Sequence, residues 1–329
     1  MNLKLSLLAA ALPLAFAASS FAAEEAKKDA APAPDWTWTG HVDLNSKYYL
    51  RGVTNTYGPQ KYDKNNRNTV NQTSNGWGDA PESDKPALSW GVDFTHSSGW
   101  YVGYWASQLT YSYERVGESY DLYKTGGAPA VPGYGYYDKN NSIENDLYGG
   151  YTGKIGDLGY NIGLTYYVYA PGKHSNAPET KIALTYGEFG LSAQTLLEDT
   201  IWGNKMDTYW TATWTKALPY DLTLTANLGY YTYGKEGKYL GSKDAFTGTT
   251  CAAGTYFFVN GCYAPLNPDG TAYTDGKLID GGFRHLTVGV SQPIGSTGLT
   301  WNIQAIHTGI NRFNQKQDNK ITAGIAYAF

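Results

Sequence analysis

The chain has 329 residues and a formal net charge of -4, with 30 Tyr, 39 Gly, 10 Trp and only two Cys. No basic stripe accompanies that balance, which argues against a nucleic-acid partner, and no phosphate-binding glycine loop or His/Cys ligand spacing is present, so no cofactor or metal is expected. A mixture this rich in Tyr and Gly favours strands and interfacial girdles over helices.

In chain order, "MNLKLSLLAAALPLAFAASSFAA" carries one positive charge at Lys4, an apolar run from Leu5 to Ala18 and then small residues. This pattern predicts a secretory signal peptide over residues 1–22, cut after Ala22. The run is shorter than the ~20 residues of a spanning helix, and no comparable run follows. Residues 23–35, "AEEAKKDAAPAPD", form a flexible periplasmic spacer without core-forming side chains.

Alternation begins at Trp36. In "WTWTGHVDLNSKYYLRGV" Trp36, Trp38, Val42, Leu44 and Leu50 fall on one parity, and Thr37, Thr39, His41, Asp43, Asn45, Lys47 and Arg51 on the other. A period of two predicts one strand over 36–53 with an apolar and a polar face. Eleven more such runs lie near 87–96, 100–110, 143–153, 160–169, 180–187, 191–199, 206–216, 222–233, 283–292, 299–309 and 319–329. Most match the ~9 to 11 residues that a tilted strand needs to cross a bilayer.

Five short connections alternate with six longer ones, the largest being 54–86 and 234–282. That rhythm predicts an all-β fold, a twelve-stranded antiparallel up-and-down transmembrane β-barrel over residues 36–329, with short turns in the periplasm and long loops outside. A secreted β-sandwich also alternates, but needs neither this loop rhythm nor aromatic residues at strand ends. The expected location is the bacterial outer membrane, with lipid and lipopolysaccharide as the surroundings. The terminal "KITAGIAYAF" ends on its apolar face, so Tyr327 and Phe329 are expected to sit level with Trp36 and Trp38 and to form the assembly signal offered to the barrel-assembly machinery.

Parity places a set of charged residues in the lumen near the outer mouth: Lys47 and Arg51 on the first strand, Glu144 and Asp146 on the fourth, Lys181 on the sixth, Glu198 on the seventh, Asp207 on the eighth and Lys320 on the twelfth. Because the twelfth strand closes on the first, Lys320 is expected to join Lys47 and Arg51 in a basic sector. Glu144, Asp146, Glu198 and Asp207 would form an acidic sector, with Lys181 as its counter-charge. Opposed sectors would orient dipolar or zwitterionic solutes. The competing reading is a set of salt bridges that plugs a small barrel.

The stretches "GHVDLNSKYYLRGV" and "PALSWGVDFTHSSGWYVGYWASQL" resemble the opening of the TorF-type porins of proteobacterial outer membranes. The resemblance lies in Tyr-x-x-Arg-Gly at Tyr48 to Gly52, the Pro86-Ala87 strand start, the turn His96 to Gly99, and Tyr-x-Gly-x-Trp-x-Ser from Tyr101 to Ser107. "IENDLYGGYTG" and "GDLGYNIGLTYYVYAPG" are also similar. The resemblance implies an outer-membrane channel of unassigned substrate and brings no catalytic residues.

Lipid-modifying chemistry would need a nucleophile, a base and an orienting group at the lipid face. His307 and Asn319 share that face, but no Ser joins them on the flanking strands, so catalysis is not expected. The stretch "NPDGTAYTDG" (267–276) misses the EF-hand register and reads as a chain of turns. In an exported chain Cys251 and Cys262 are expected to form a disulfide, stapling the apolar "TYFFV" into a loop that either folds over the mouth and narrows it or stands exposed, with the disulfide serving only to resist proteolysis. The expectation is a porin passing small polar or zwitterionic solutes by passive diffusion. The alternatives are a closed barrel acting as a surface adhesin or complex partner, and a lipid-modifying enzyme.

Overall fold

The computed structural model describes residues 35–54, 85–126, 141–259, 261–263, 278–314 and 316–329. The expected signal peptide, the spacer up to residue 34, and the candidate calcium stretch 267–276 lie outside the described residues.

Fifteen strands follow one another as β1 (Trp36–Asn45), β2 (Ala87–His96), β3 (Trp100–Leu109), β4 (Ser142–Ile155), β5 (Leu158–Ala170), β6 (Ala177–Tyr186), β7 (Phe189–Leu196), β8 (Thr208–Ala217), β9 (Thr223–Thr232), β10 (Leu240–Gly241), β11 (Tyr256–Phe258), β12 (Gly261–Tyr263), β13 (Gly281–Pro293), β14 (Leu299–Thr308) and β15 (Lys320–Ala328). One helix, α1 (Glu114–Lys124), lies between β3 and β4. Twelve of the strands close an antiparallel barrel in the order β1-β15-β14-β13-β9-β8-β7-β6-β5-β4-β3-β2, and β10, β11 and β12 form a small separate sheet. Eleven of the twelve expected strands thus begin and end within three residues of the read boundaries.

Alternation sorts the side chains as the sequence requires. On β4 the inward residues Ser142, Glu144 and Asp146 are buried, whereas Leu147 faces out and is 54% exposed. Trp38, Val102, Ile162, Ile182, Leu191, Ile303 and Ile325 extend the same exposed apolar belt around the barrel. An apolar surface that continuous suits lipid rather than water. Two-residue turns, Gly156-Asp157 and Gly187-Glu188, close the β4/β5 and β6/β7 hairpins, and each glycine supplies the left-handed backbone that such turns need (φ 60° and 56°).

The first strand is shorter than expected. Its ladder with β2 runs from Trp36↔His96 to Asn45↔Ala87 and stops there. Ser46 still exchanges hydrogen bonds with Ala323 on β15, and the residues after it leave the wall and turn inward, burying Tyr48, Val53 and Thr54. Parity alone cannot report this departure, because the alternation continues through a segment that no longer has strand neighbours.

At the long-loop end the connections pack on one another rather than standing in solvent. Val116 and Tyr120, one helical turn apart on α1, are buried together with Tyr113 just before it. They meet Tyr239 and Leu240 from the β9–β13 connection, whose Tyr256, Phe257, Phe258 and Val259 are almost fully buried. An eleven-residue helix is marginal alone, so this packing accounts for its formation.

Closure of the ring depends on the two chain-terminal strands. Phe329 and Gly40 exchange both backbone hydrogen bonds, at 2.9 and 3.0 Å, which seals the β1/β15 seam. On the outer face the Phe329 ring lies over Gly40, edge-on to Trp38 (centroids 6.2 Å) and stacked on Tyr327 (5.7 Å). A side chain at position 40 would occupy the place of that ring. Gly40→Val and Phe329→Ala are therefore expected to lower the urea midpoint of the lipid-embedded barrel individually. In the double variant the two losses should fall short of their sum by about 1 kcal/mol; additive losses would separate the ring from the seam.

Candidate functional site

The inward turn after β1 carries Arg51 into the bore. A short 3-10 turn spans Leu50–Gly52, with Arg51 at φ 49° and Gly52 at φ 76°. A Cβ at Gly52 would sit 2.8 Å from His285, so only glycine lets the chain pass so close to β13. Arg51, not being glycine, is held in a left-handed conformation costing on the order of 1 kcal/mol or more. What holds it there is on the opposite wall.

Around a ring of twelve strands β7 is six steps from β1 in either direction. The Arg51 guanidinium reaches that far: Nη2 donates to Gln194 Oε1 on β7 at 2.8 Å. The same group donates to both carboxylate oxygens of Glu179 on β6, at 2.9 and 2.6 Å, to Tyr231 OH on β9 at 2.8 Å and to Tyr167 OH on β5 at 3.2 Å. Its plane lies 4.8 Å from the ring centre of Tyr209 on β8. Planar bidentate geometry is what an arginine offers and a lysine does not. Burial by itself would disfavour the charged guanidinium, and the contacts with Glu179, Tyr231 and Tyr167 together outweigh it.

Two further arginines hold this arrangement from above. A register shift between Phe283 and His285 leaves Arg284 as the extra residue of a β-bulge on β13. So turned, Arg284 Nε donates to the Arg51 carbonyl at 3.3 Å, and its Nη1 to Tyr233 OH at 3.1 Å. Arg312 donates to Asp207 Oδ1 at 2.7 Å and to the Gly234 carbonyl at 3.0 Å, with its guanidinium over the Tyr233 ring. Burial pushes the Asp207 carboxyl above its ordinary value even against Arg312 and two backbone amides.

The packed loops sit over this layer. Tyr48 and Tyr169 donate to the two oxygens of Glu144, both at 2.8 Å, so Glu144 is a buried acceptor for two phenols. Cys251 and Cys262 form the expected disulfide, and the stapled segment pairs Phe257 with Cys262 in the β11/β12 ladder. Tyr123 on α1 donates to Asp244 in the same connection at 2.6 Å. Burial acts to raise the Asp244 carboxyl, but the bonds from Tyr123 and from the amides of Phe246 and Thr247 prevail and leave it below its ordinary value. The apolar run of this loop is thus placed over the mouth.

Below Arg51 the bore is open. A cavity of about 640 Å³ extends from Tyr167, Lys181 and Gln194 to the rim at the short turns, where Ser97–Gly99 and Thr152–Lys154 line it. Its walls are mainly hydroxyl, amide and phenol groups, with Asp93, Asp146 and Lys181 as its charged residues in the bore. Space is kept because tyrosines fold back against the wall. Tyr148 leans across Gly103 to donate to Asp93 at 2.6 Å, and Tyr101 leans across Gly163 to donate to Asn161 at 3.0 Å. A side chain on either glycine would collide with the ring.

Several expected placements change. Arg51 lies in the bore but off the strand, and it does not group with Lys47 or Lys320. Lys47 is half-buried just after β1, and Lys320, the first residue of β15, lies 3.4 Å from Asp318. Glu198 falls past the end of β7 and is exposed. Asp207 precedes β8 and pairs with Arg312. Two opposed sectors therefore do not form, because the longest cation crosses the bore and meets its carboxylate directly. Glu179, the partner, has the right parity but lies one residue before the strand as read from 180. Arg284 was hidden by the bulge and Arg312 by its place in a loop. His307 faces outward and is exposed beside Phe283, while Asn319 accepts from the Thr308 amide.

Removing either member of a buried pair strands the other. Arg51→Ala and Glu179→Ala are each expected to destabilise the barrel by about 3 kcal/mol in urea unfolding from lipid vesicles, and Arg51→Met combined with Glu179→Leu by clearly less than their sum.

Solved structures with a similar course include a NanC porin (TM-score 0.41, 8% identity, covering 88% of this chain and 98% of that one). Others are the COG4313 outer-membrane channel from Pseudomonas putida F1 (0.41, 9%, 93% and 99%) and outer-membrane phospholipase A from Escherichia coli (0.37, 10%, 88% and 92%). With identities this low, none of them assigns an activity to this chain. Among curated proteins none matches it by sequence. The model of a family described as bacterial proteins of unknown function, Gcw_chp, matches residues 78–292, more than half of the chain, and the chain belongs to that family.

Proposed function

We propose that this protein is an integral outer-membrane channel for small polar or zwitterionic solutes, exported by its signal peptide and closed at its outer mouth in the state described. The observation that carries the reading is the polar cavity of about 640 Å³, which runs inside the barrel from the short-turn rim up to the ring of groups around Arg51. A barrel built only as a scaffold has no need of an open, hydrated interior, and small barrels are ordinarily filled by side chains. The exposed apolar belt supports the membrane location, and the resemblance of β1 to β3 to the TorF-type porins supports the same activity.

Closure at the mouth has two layers that differ in kind. Arg51 is a single side chain on a strained turn, and its withdrawal would join the cavity to the space beneath the loops. The loops above form an aromatic cluster stapled by Cys251–Cys262, so their displacement requires a larger rearrangement. Together they describe a channel that opens by motion of the 46–54 turn and of the stapled loop. A second reading, a closed barrel that presents its ordered loops to a surface partner, is favoured by the extent of that packed lid.

Planar-bilayer recording separates the two. The wild-type protein is expected to show small, infrequent openings, Arg51→Ala to raise open probability several-fold, and reduction of the disulfide to add to it. An epitope inserted at the exposed Thr247-Gly248 turn should be accessible on intact cells. Silent bilayers for wild type, Arg51→Ala and reduced protein alike would favour the surface-partner reading.

A further inference from the structure

One carboxylate in the cavity has no assigned partner. Asp146, on β4, is 6% exposed, and its Oδ1 accepts no hydrogen bond among the described residues. Other acidic groups in the bore hold donors: Asp93 has Tyr148, Glu144 has Tyr48 and Tyr169, Glu179 has Arg51 and Tyr167, and Asp43, whose Oδ1 is likewise unbonded, is held through Oδ2 by His41 and Ser89. A buried carboxylate left without a donor is costly, and although Oδ1 itself is enclosed, Asp146 as a residue lines the open cavity, where a donor can approach its carboxylate.

The surroundings define what that donor is. Asp146 pairs across the ladders with Trp105 on β3 and Tyr167 on β5, and both rings line the same cavity. Carboxylate and aromatic faces together suit an organic ammonium, which gains both an ion pair and cation–π contact. A divalent metal would need several oxygen ligands, and no cluster of three His, Cys, Asp or Glu side chains occurs among the described residues.

Lys181, on β6, lines the cavity two strands away from Asp146. It offers an ammonium head to the anionic end of a solute whose own ammonium lies at Asp146. The cavity volume falls within the range of about 300 to 1,000 Å³ found for small-molecule sites.

We infer that the cavity below Arg51 is a binding site for a small zwitterion, with the solute's ammonium at Asp146 and Trp105 and its carboxylate toward Lys181. The inference rests on the channel reading and names the solute class of that channel. Binding takes place in the closed barrel from the short-turn side, so it is measurable without permeation.

The test is titration calorimetry on the full-length, detergent-solubilised protein with three probes: 4-aminobutyrate, propylammonium and butyrate. 4-Aminobutyrate is expected to bind tightest, propylammonium more weakly and butyrate not at all. Asp146→Asn should weaken both amines at least tenfold, whereas Asp93→Asn, at the lining carboxylate already held by Tyr148, should change affinity less than threefold. Lys181→Gln should bring 4-aminobutyrate down to the level of propylammonium without affecting the latter. Butyrate binding as well as the amines in the wild-type protein, or no heat from either amine, overturns the inference. So does a folded Asp146→Asn barrel, judged by heat-modifiable gel migration, that keeps wild-type affinity. Because the wild-type probe series needs no variant, misfolding of Asp146→Asn leaves the inference decidable. A protein that conducts in bilayers yet binds no amine overturns this site and leaves the channel standing.

Discussion

The arrangement of this barrel depends on one buried ion pair that spans it. Arg51 leaves the first strand, crosses the bore and is gripped by Glu179, Gln194, Tyr167 and Tyr231 on the far side. Burying a guanidinium and a carboxylate costs several kcal/mol each, and the pair is stable only where the remaining hydrogen-bonding positions are filled. Here they are filled by phenols from β5 and β9 and by an amide from β7. The pair therefore does little for overall stability compared with apolar filling, but it specifies which part of the interior is closed and which is left open.

The two ends of the barrel follow from that plane. Above it, rings of the connections pack on the wall and on one another: Tyr113 on Tyr169 of β5, Tyr120 on Tyr239 and Tyr256 on Phe313, each pair with ring centres less than 5 Å apart. Below it, tyrosines of the same chemical type fold flat against the wall across glycines and leave space. The difference is not in the aromatic residues themselves but in what stands opposite them. Rings that meet other rings close a mouth, and rings that lie over glycine line a cavity.

Strain and bulge belong to the same device. The left-handed backbone at Arg51 and the extra residue at Arg284 are two departures from regular strand geometry, and they meet, since Arg284 holds the carbonyl of Arg51. Each would be unfavourable alone. Irregular positions that stabilise one another persist where the surrounding structure over-determines them, as the bulge and the far-wall contacts do here.

Periodicity in the sequence determined the strand number, the alternation of faces, the two classes of connection and the aromatic seam of Phe329 with Trp38, because each strand's parity is a local property with a period of two. The inward residues Glu144, Asp146 and Lys181 were legible for the same reason. What the tertiary structure decided was pairing. That Arg51 meets Glu179, that Arg312 meets Asp207 and that Lys320 meets neither depends on where a turn leaves the wall and how loops return over it. Glu179 was one residue outside a strand boundary, and Arg284 was moved by a bulge that leaves no trace in the alternation. Contacts between residues more than a hundred positions apart are set by ring closure and by the depth to which the 46–54 turn descends, and a pattern read over ten residues carries no information about either.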